Sequence, residues 1–455
     1  MRVTDRFRIF CVSAGVIIAL SALQFFSVPW MNGISGFDET GHIDYAFKLS
    51  AGSIPSWDST LDRRTRSTVH CFSTSSLEPN CVTEQAGELD SFPARGMTHQ
   101  AQQLPGGYLP FVIGATFATN SSQYHDTQIL TLRLAGYSLL LGLAFAWAFL
   151  VSMATNSWLS AAAASALMGL NPLVHQSFTY VTNDGAAIVI GTIAFGYIFL
   201  RSNFPESSLA KKWAWLSPTI GVLIGLTKFT AALVVIPAVI AAAIVRPQDD
   251  SQRGRNATPL IYSSVLIIGV AALTNLLFGG WQALRSQKSA SEVLATLMPP
   301  RPSSIGQQAV TRLGDFDSLI FGAGVYPITI YTAIFSIFGM AVTLLALKVS
   351  SWSTVRATPL LRPDSLVVGA ILTVIFFLLL FPLAETLRSG LGTTFIGRYL
   401  APLVPVLLLA SLPVFDRRKS LAKVLVALSF PLAMIGTNSM SLIAWNLTSF
   451  WQRLT

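Results

Sequence analysis

The residues best suited to chemistry sit in short clusters that border apolar runs. Gly36-Phe37-Asp38-Glu39-Thr40-Gly41-His42 places two carboxylates and an imidazole just after the first apolar run. Asp38 and His42 are four apart, so a helix starting near Asp38 would put both on one face. A carboxylate there could act as general base on a hydroxyl, or bind a divalent metal. The same letters also read as a helix N-cap, Asp with Glu after it. Tyr180-Val181-Thr182-Asn183-Asp184 holds the only acid between Asp126 and Glu206. An acid flanked by apolar spans is a candidate site residue, with an N-cap again the alternative.

Gly225-Leu226-Thr227-Lys228-Phe229-Thr230 sets a lone cation in a tight turn. A phosphate, a carboxylate, or snorkelling to headgroups would each satisfy Lys228. In Gly397-Arg398-Tyr399-Leu400-Ala401-Pro402, Arg398 could grip a phosphate bidentately, or pair locally with Glu385, with Arg388 also near in sequence. Arg133 could join this group or snorkel. The stretch His99 to Pro110 offers His99 and Tyr108 as substrate contacts; a solvated loop histidine is the plainer reading of His99.

The elements that must position these residues are membrane helices. Of 455 residues, 52% are hydrophobic and only 11% charged, against roughly a quarter charged in soluble domains. That composition excludes an ordinary soluble enzyme, a disordered chain and a disulfide-rich secreted scaffold. Apolar runs at 9–28, 129–152, 158–175, 185–200, 214–226, 229–246, 259–278, 319–347, 365–383, 399–415 and 424–444 predict about eleven transmembrane helices in an all-α membrane protein. A further apolar run, 105–119, is expected to lie on the membrane or re-enter it. Counting it as a span would move the dense basic clusters outside, against the positive-inside rule. With the N-terminus cytoplasmic, Arg2, Arg6, Arg8, Arg201, Lys211, Lys212, Arg417, Arg418, Lys419 and Lys423 all face inward. The net charge of +9 is then largely an orientation signal, and no nucleic-acid partner is required. Residues 9–28 are expected to stay as a span, since Val28-Pro29-Trp30-Met31 offers a poor cleavage site.

Residues 29–128 form one large outside loop, acidic within a basic protein. Cys71 and Cys81 lie in it. An oxidising exterior permits a disulfide between them, at about 2–3 kcal/mol for so small a loop; their spacing with His70 does not match a zinc site. Cys11 reads as a small buried apolar residue. No Walker loop, GxGxxG with a downstream acid, HExxH or GxSxG occurs, so neither nucleotide-driven nor Ser/His chemistry has support.

Taken in order, the clusters resemble the GT-C superfamily of polytopic glycosyltransferases, and within it DUF2142-type bacterial membrane proteins; the likeness to aminoarabinose and protein-mannosyl transferases is more distant. The likeness rests on the acidic pair Asp38-Glu39, Gly52-Ser53-Ile54-Pro55, His99 to Pro110, Arg133-Leu134, Asn183-Asp184, Leu226-Thr227-Lys228-Phe229-Thr230, and Arg398-Tyr399-Leu400-Ala401-Pro402. It covers roughly 1–245 and 395–415 and departs at Gln102-Gln103-Leu104-Pro105, where a Pro-Pro pair is often found.

The resemblance implies a large first extracytoplasmic loop with interfacial helices, a catalytic module at 1–245 and a variable transmembrane module at 246–455. It implies transfer of a sugar, with inversion, from a polyprenyl-phosphate donor to an envelope glycan, lipid or protein, on the outer face of a bacterial plasma membrane. Asp38 and Glu39 would be catalytic; His42 and Asp184 would bind metal or acceptor; Lys228, Arg398 and Arg133 would hold the donor phosphate. The one cofactor left open is a divalent ion, magnesium or manganese. A flippase of lipid-linked glycans and a non-catalytic envelope-assembly protein are the alternatives.

Overall fold

In a bilayer, backbone polar groups must be satisfied within the segment that carries them, so long apolar runs fold as helices. The computed structural model of the chain describes residues 3–27, 39–74, 88–92, 96–121, 125–203, 215–244, 250–288, 363–380, 397–429 and 431. Among them the only strand-like pairing is an isolated bridge between Thr60 and Met97. The helices are α1 (Val3–Ser27), α2 (Glu39–Ser50), α3 (Arg63–Thr74), α4 (Leu109–Ser121), α5 (His125–Ala154), α6 (Trp158–Leu170), α7 (Pro172–Thr179), α8 (Asp184–Asn203), α9 (Leu216–Thr227), α10 (Val235–Ile244), α11 (Asp250–Arg285), α12 (Pro363–Ile375) and α13 (Val404–Arg417).

Five stretches among the described residues are long and apolar enough to cross a membrane: Thr4–Leu23, Gln128–Ala154, Asp184–Ser202, Leu260–Arg285 and Tyr399–Arg417. Shorter apolar helices cover Trp158–Leu170, Leu216–Thr227, Phe229–Ala243 and Ser365–Ile375. The expected span 319–347 and most of 424–444 lie outside the described residues. The expected span 158–175 instead stops at Leu170, where Asn171 turns extended and Pro172 opens α7. A residue before proline is driven out of the helical region, and proline brings no amide hydrogen. The run 105–119 folds as a 3-10 turn, Pro105–Tyr108, and then α4. At 13 residues, α4 is shorter than the roughly 20 that a crossing takes.

Between lipid-solvated helices the attraction comes from close packing more than from the hydrophobic effect, which favours small residues at contacts. In α6 the run Ser160-Ala161-Ala162-Ala163-Ala164-Ser165-Ala166 is wholly buried, and α1 and α13 pack against this helix. Trp147 is fully buried beside it, and its indole N–H donates to Ser165 Oγ at 3.0 Å. Elsewhere α1 also lies on α5, α9 on α11, and α10 on α12. Cys11 is exposed on α1, not buried as its sequence context predicts. The buried face of that helix runs instead through Ile9, Ile17 and Leu20.

A second core belongs to the large loop. Ile43, Tyr45, Phe47, Val69, Tyr108 and Phe111 pack with Ile129 and Leu132 of α5 and with Val181. The loop helices are thereby fixed onto the ends of the long ones.

Candidate functional site

The site grows from the first residues of two helices. Glu39 opens α2 and Asp184 opens α8, where a carboxylate meets the positive end of the helix dipole. Each carboxylate is also held by a cation from elsewhere in the chain.

Glu39 meets Arg133 of α5. Arg133 Nε donates to Glu39 Oε1 at 3.0 Å and Nη2 to Oε2 at 2.9 Å. The residues are 1% and 3% exposed, so this is a buried, bidentate pair. Glu39 Oε1 also accepts from the Val181 amide at 3.1 Å. The Arg133 guanidinium lies 5.1 Å from the centre of the Tyr180 ring, and burial pushes the Tyr180 phenol above its ordinary value.

Asp184 meets Lys228. The ammonium bonds Asp184 Oδ1, while Thr182 Oγ1 donates to Oδ2 at 3.1 Å. Lys228 adopts extended backbone between α9 and the 3-10 segment Phe229–Val234, which turns its side chain out of the helix line. Its Nζ lies 4.4 Å from the centre of the Tyr399 ring. The sequence left Lys228 a choice of phosphate, carboxylate or headgroup; in the structure its partners include a carboxylate and an aromatic face.

Between the two pairs runs Tyr180–Asp184. Tyr180 meets Arg133, Val181 meets Glu39, Thr182 meets Asp184, and Asp184 meets Lys228. Asn183 Nδ2 donates to Gln103 Oε1 at 3.3 Å. The 3-10 turn at Pro105–Tyr108 fits closely here. A Cβ on Gly106 would stand 2.8 Å from the Leu226 carbonyl oxygen, and one on Gly107 would stand 3.0 Å from Asn183 Cβ.

Beside this hub, His42 Nδ1 lies 2.6 Å from Tyr108 Oη. The Tyr108 ring stacks on Tyr45 with centroids 4.3 Å apart, and Tyr45 Oη donates to the Gln103 carbonyl at 2.8 Å. Two residues on, Asp44 pairs with Lys48 at 2.7 Å and accepts from the Asp62 amide and Thr65 Oγ1. Burial pushes the Asp44 carboxyl above its ordinary value, against the pull of Lys48.

The loop after α2 is clamped to the end of α11. Gln282 Nε2 donates to the carbonyls of Pro55 and Ala101, at 3.0 and 3.2 Å. Arg285 donates to the Ile54 carbonyl and the Gln287 amide to Asp58 Oδ2, both at 3.0 Å. Nothing in the sequence marked Gln282; its one visible signal is an amide at the close of a long apolar run.

Of the sequence-predicted residues, Glu39, His42, Tyr108, Arg133, Asp184 and Lys228 gather around this hub. Asp38, Cys81 and the side chains of His99 and Arg398 lie outside the described residues. Cys71 is disulfide-bonded. Among the described residues no group of three or more His, Cys, Asp or Glu could hold a metal ion. In the structure Glu39 pairs with Arg133, Asp184 with Lys228 and His42 with Tyr108.

No family model and no curated protein matches the chain. Two solved structures are similar. One is the archaeal oligosaccharyltransferase AglB from Archaeoglobus fulgidus, in complex with an inhibitory peptide and a dolichol-phosphate, at 12% identity and a TM-score of 0.47, with 94% of this chain covering 56% of that one. The other is the Archaeoglobus fulgidus oligosaccharyltransferase in complex with Zn and sulfate, at 14% identity and a TM-score of 0.47, with 93% of this chain covering 53% of that one. The chain thus spans just over half the length of either. A likeness this weak assigns neither a family nor an activity.

Proposed function

We propose that the chain is a membrane glycosyltransferase of GT-C type that moves a sugar from a polyprenyl-phosphate donor to an acceptor hydroxyl or amide of the cell envelope. The observation that carries this reading is the hub at Tyr180–Asp184. It gathers a carboxylate-bearing helix start, a buried lysine and an aromatic face at one end of the long helices.

Asp38 is the base. It takes the acceptor proton as the acceptor attacks the anomeric carbon, the bond from that carbon to the phosphate oxygen breaks, and polyprenyl phosphate leaves. A single displacement of this kind inverts the anomeric centre. Lys228 and Arg398 hold the donor phosphate and stabilise the charge that grows on it; to do so Lys228 exchanges its bond to Asp184 for one to phosphate. Glu39, the residue after Asp38 in sequence, is held by Arg133. His42, Tyr108 and His99 border the acceptor. No step is routed through a metal. Energy comes from the donor, which agrees with the lack of a nucleotide motif. The eleven-span organisation, the cytoplasmic N-terminus and the bacterial plasma membrane belong to the same proposal.

The test is transfer of labelled sugar from a panel of polyprenyl-phosphate donors to envelope extracts. Asp38→Asn is expected to cut transfer by about 10²–10⁴-fold, the usual worth of a general base, with expression unchanged. Full transfer by that variant would end the assignment. Movement of an intact lipid-linked glycan across vesicles, with no transfer, would favour the flippase.

A further inference from the structure

The opposite end of the same helices carries a second feature that the proposed chemistry does not use. Between Arg133 and Ala154, α5 runs about 31 Å at 1.5 Å per residue, close to the hydrocarbon thickness of a bilayer. At its far end the start of α1 and the end of α13 meet the turn between α5 and α6. Arg8 of α1 lies over the Trp158 ring, with its guanidinium carbon 5.4 Å from the ring centre. From the other side Asp416 of α13 accepts from Ser160 and, at 3.5 Å, from Thr155. These contacts bring the basic end of α13 to the place where α1 begins.

The surface so formed is cationic. Arg8, Arg417, Arg418, Lys419 and Lys423 are exposed and Arg6 is partly so. Among the described residues, the acids at this end include Asp5 and Asp416. Two aromatic side chains flank the cations, with Trp158 46% and Phe7 66% exposed. Aromatic rings settle at headgroup level, and adjacent lysines and arginines attract anionic lipid.

We propose that this end of the bundle binds the headgroups of anionic phospholipids, with Trp158 and Phe7 seated among the glycerol backbones and the arginines of α1 and α13 on the phosphates. Charge complementarity selects the occupant. The inference stands apart from the sugar-transfer reading.

The test compares the purified full chain in nanodiscs of phosphatidylcholine alone and of phosphatidylcholine mixed with phosphatidylglycerol, by thermal unfolding and by mass spectrometry of retained lipid. The mixed discs are expected to raise the wild-type midpoint. The triple variant Arg417→Gln, Arg418→Gln, Lys419→Gln should lose most of that rise, with anionic-lipid retention about fivefold weaker for each charge removed. Lys288→Gln, beyond the far end of α11, should keep it. A triple variant that responds like the wild type would overturn the proposal, as would a wild type with no response. An equal rise from inorganic phosphate in phosphatidylcholine discs would overturn it in favour of a free-phosphate site.

Discussion

Glu39 and Arg133 face each other through two parallel hydrogen bonds, of 3.0 and 2.9 Å, with almost no water contact. A buried charge is far costlier alone than paired, by about 3–5 kcal/mol when one partner is removed. Glu39→Ala and Arg133→Ala should each destabilise the protein on that scale. Removing both should cost clearly less than the sum. Thermal or denaturant unfolding in detergent checks this, and strictly additive losses would show that the two are not coupled.

For Lys228 and Asp184 the telling measurement is kinetic. With Lys228 as the proposed phosphate ligand, Lys228→Met should lower transfer and raise the donor KM. Asp184→Asn keeps an oxygen for Thr182 but frees Lys228 from its carboxylate, so its donor KM should fall or hold. A matching rise in KM for both variants would mean that Asp184 itself assists the donor.

The glycine turn gives a steric prediction. Gly106→Ala forces a methyl against the Leu226 carbonyl oxygen, which is backbone and cannot rotate away. A loss of about 1–3 kcal/mol is expected, the usual cost of overpacking. Gly196→Ala in α8 has nothing within 4 Å of the added carbon and should be neutral or stabilising. Unfolding midpoints that rank the two the other way would contradict the close fit.

Much of this hub was legible in the sequence, and the manner of its assembly was not. Asp184, Lys228 and Arg133 stood out because charge is rare among apolar runs and has to be explained. That Glu39 and Arg133, 94 positions apart, take each other as partners was hidden, because periodicity shows which face a helix buries and not which helix meets it. Pro172 was visible, yet hydropathy averaged over a window runs straight through it and merges α6 with α7. Gln282 joins strands of chain 227 and 181 positions away, and a lone amide gives no local sign of such reach.

Asp44 gives the pH prediction. Its carboxyl is pushed up by burial, so folding favours the protonated acid. That contribution is full below the unfolded value, about 3.9, and is lost as pH rises through the higher folded value. Asp44→Asn does not titrate. Its unfolding midpoint should therefore gain on the wild type as pH rises from about 4 and then level off. A gap that moves the other way would place the folded value below the ordinary one.

The segment Tyr180–Asp184 is held in place by its neighbours. Ahead of Asp184 it has no regular structure of its own, yet Tyr180, Val181, Thr182, Asn183 and Asp184 each engage a side chain. Its order is borrowed from α2, α5, Lys228 and the 99–108 stretch. Fixing a residue's backbone costs about 1–2 kcal/mol of entropy, and here that loss is incurred at folding. A ligand arriving at this end of the helices meets a surface already set and need not freeze a loop in order to bind.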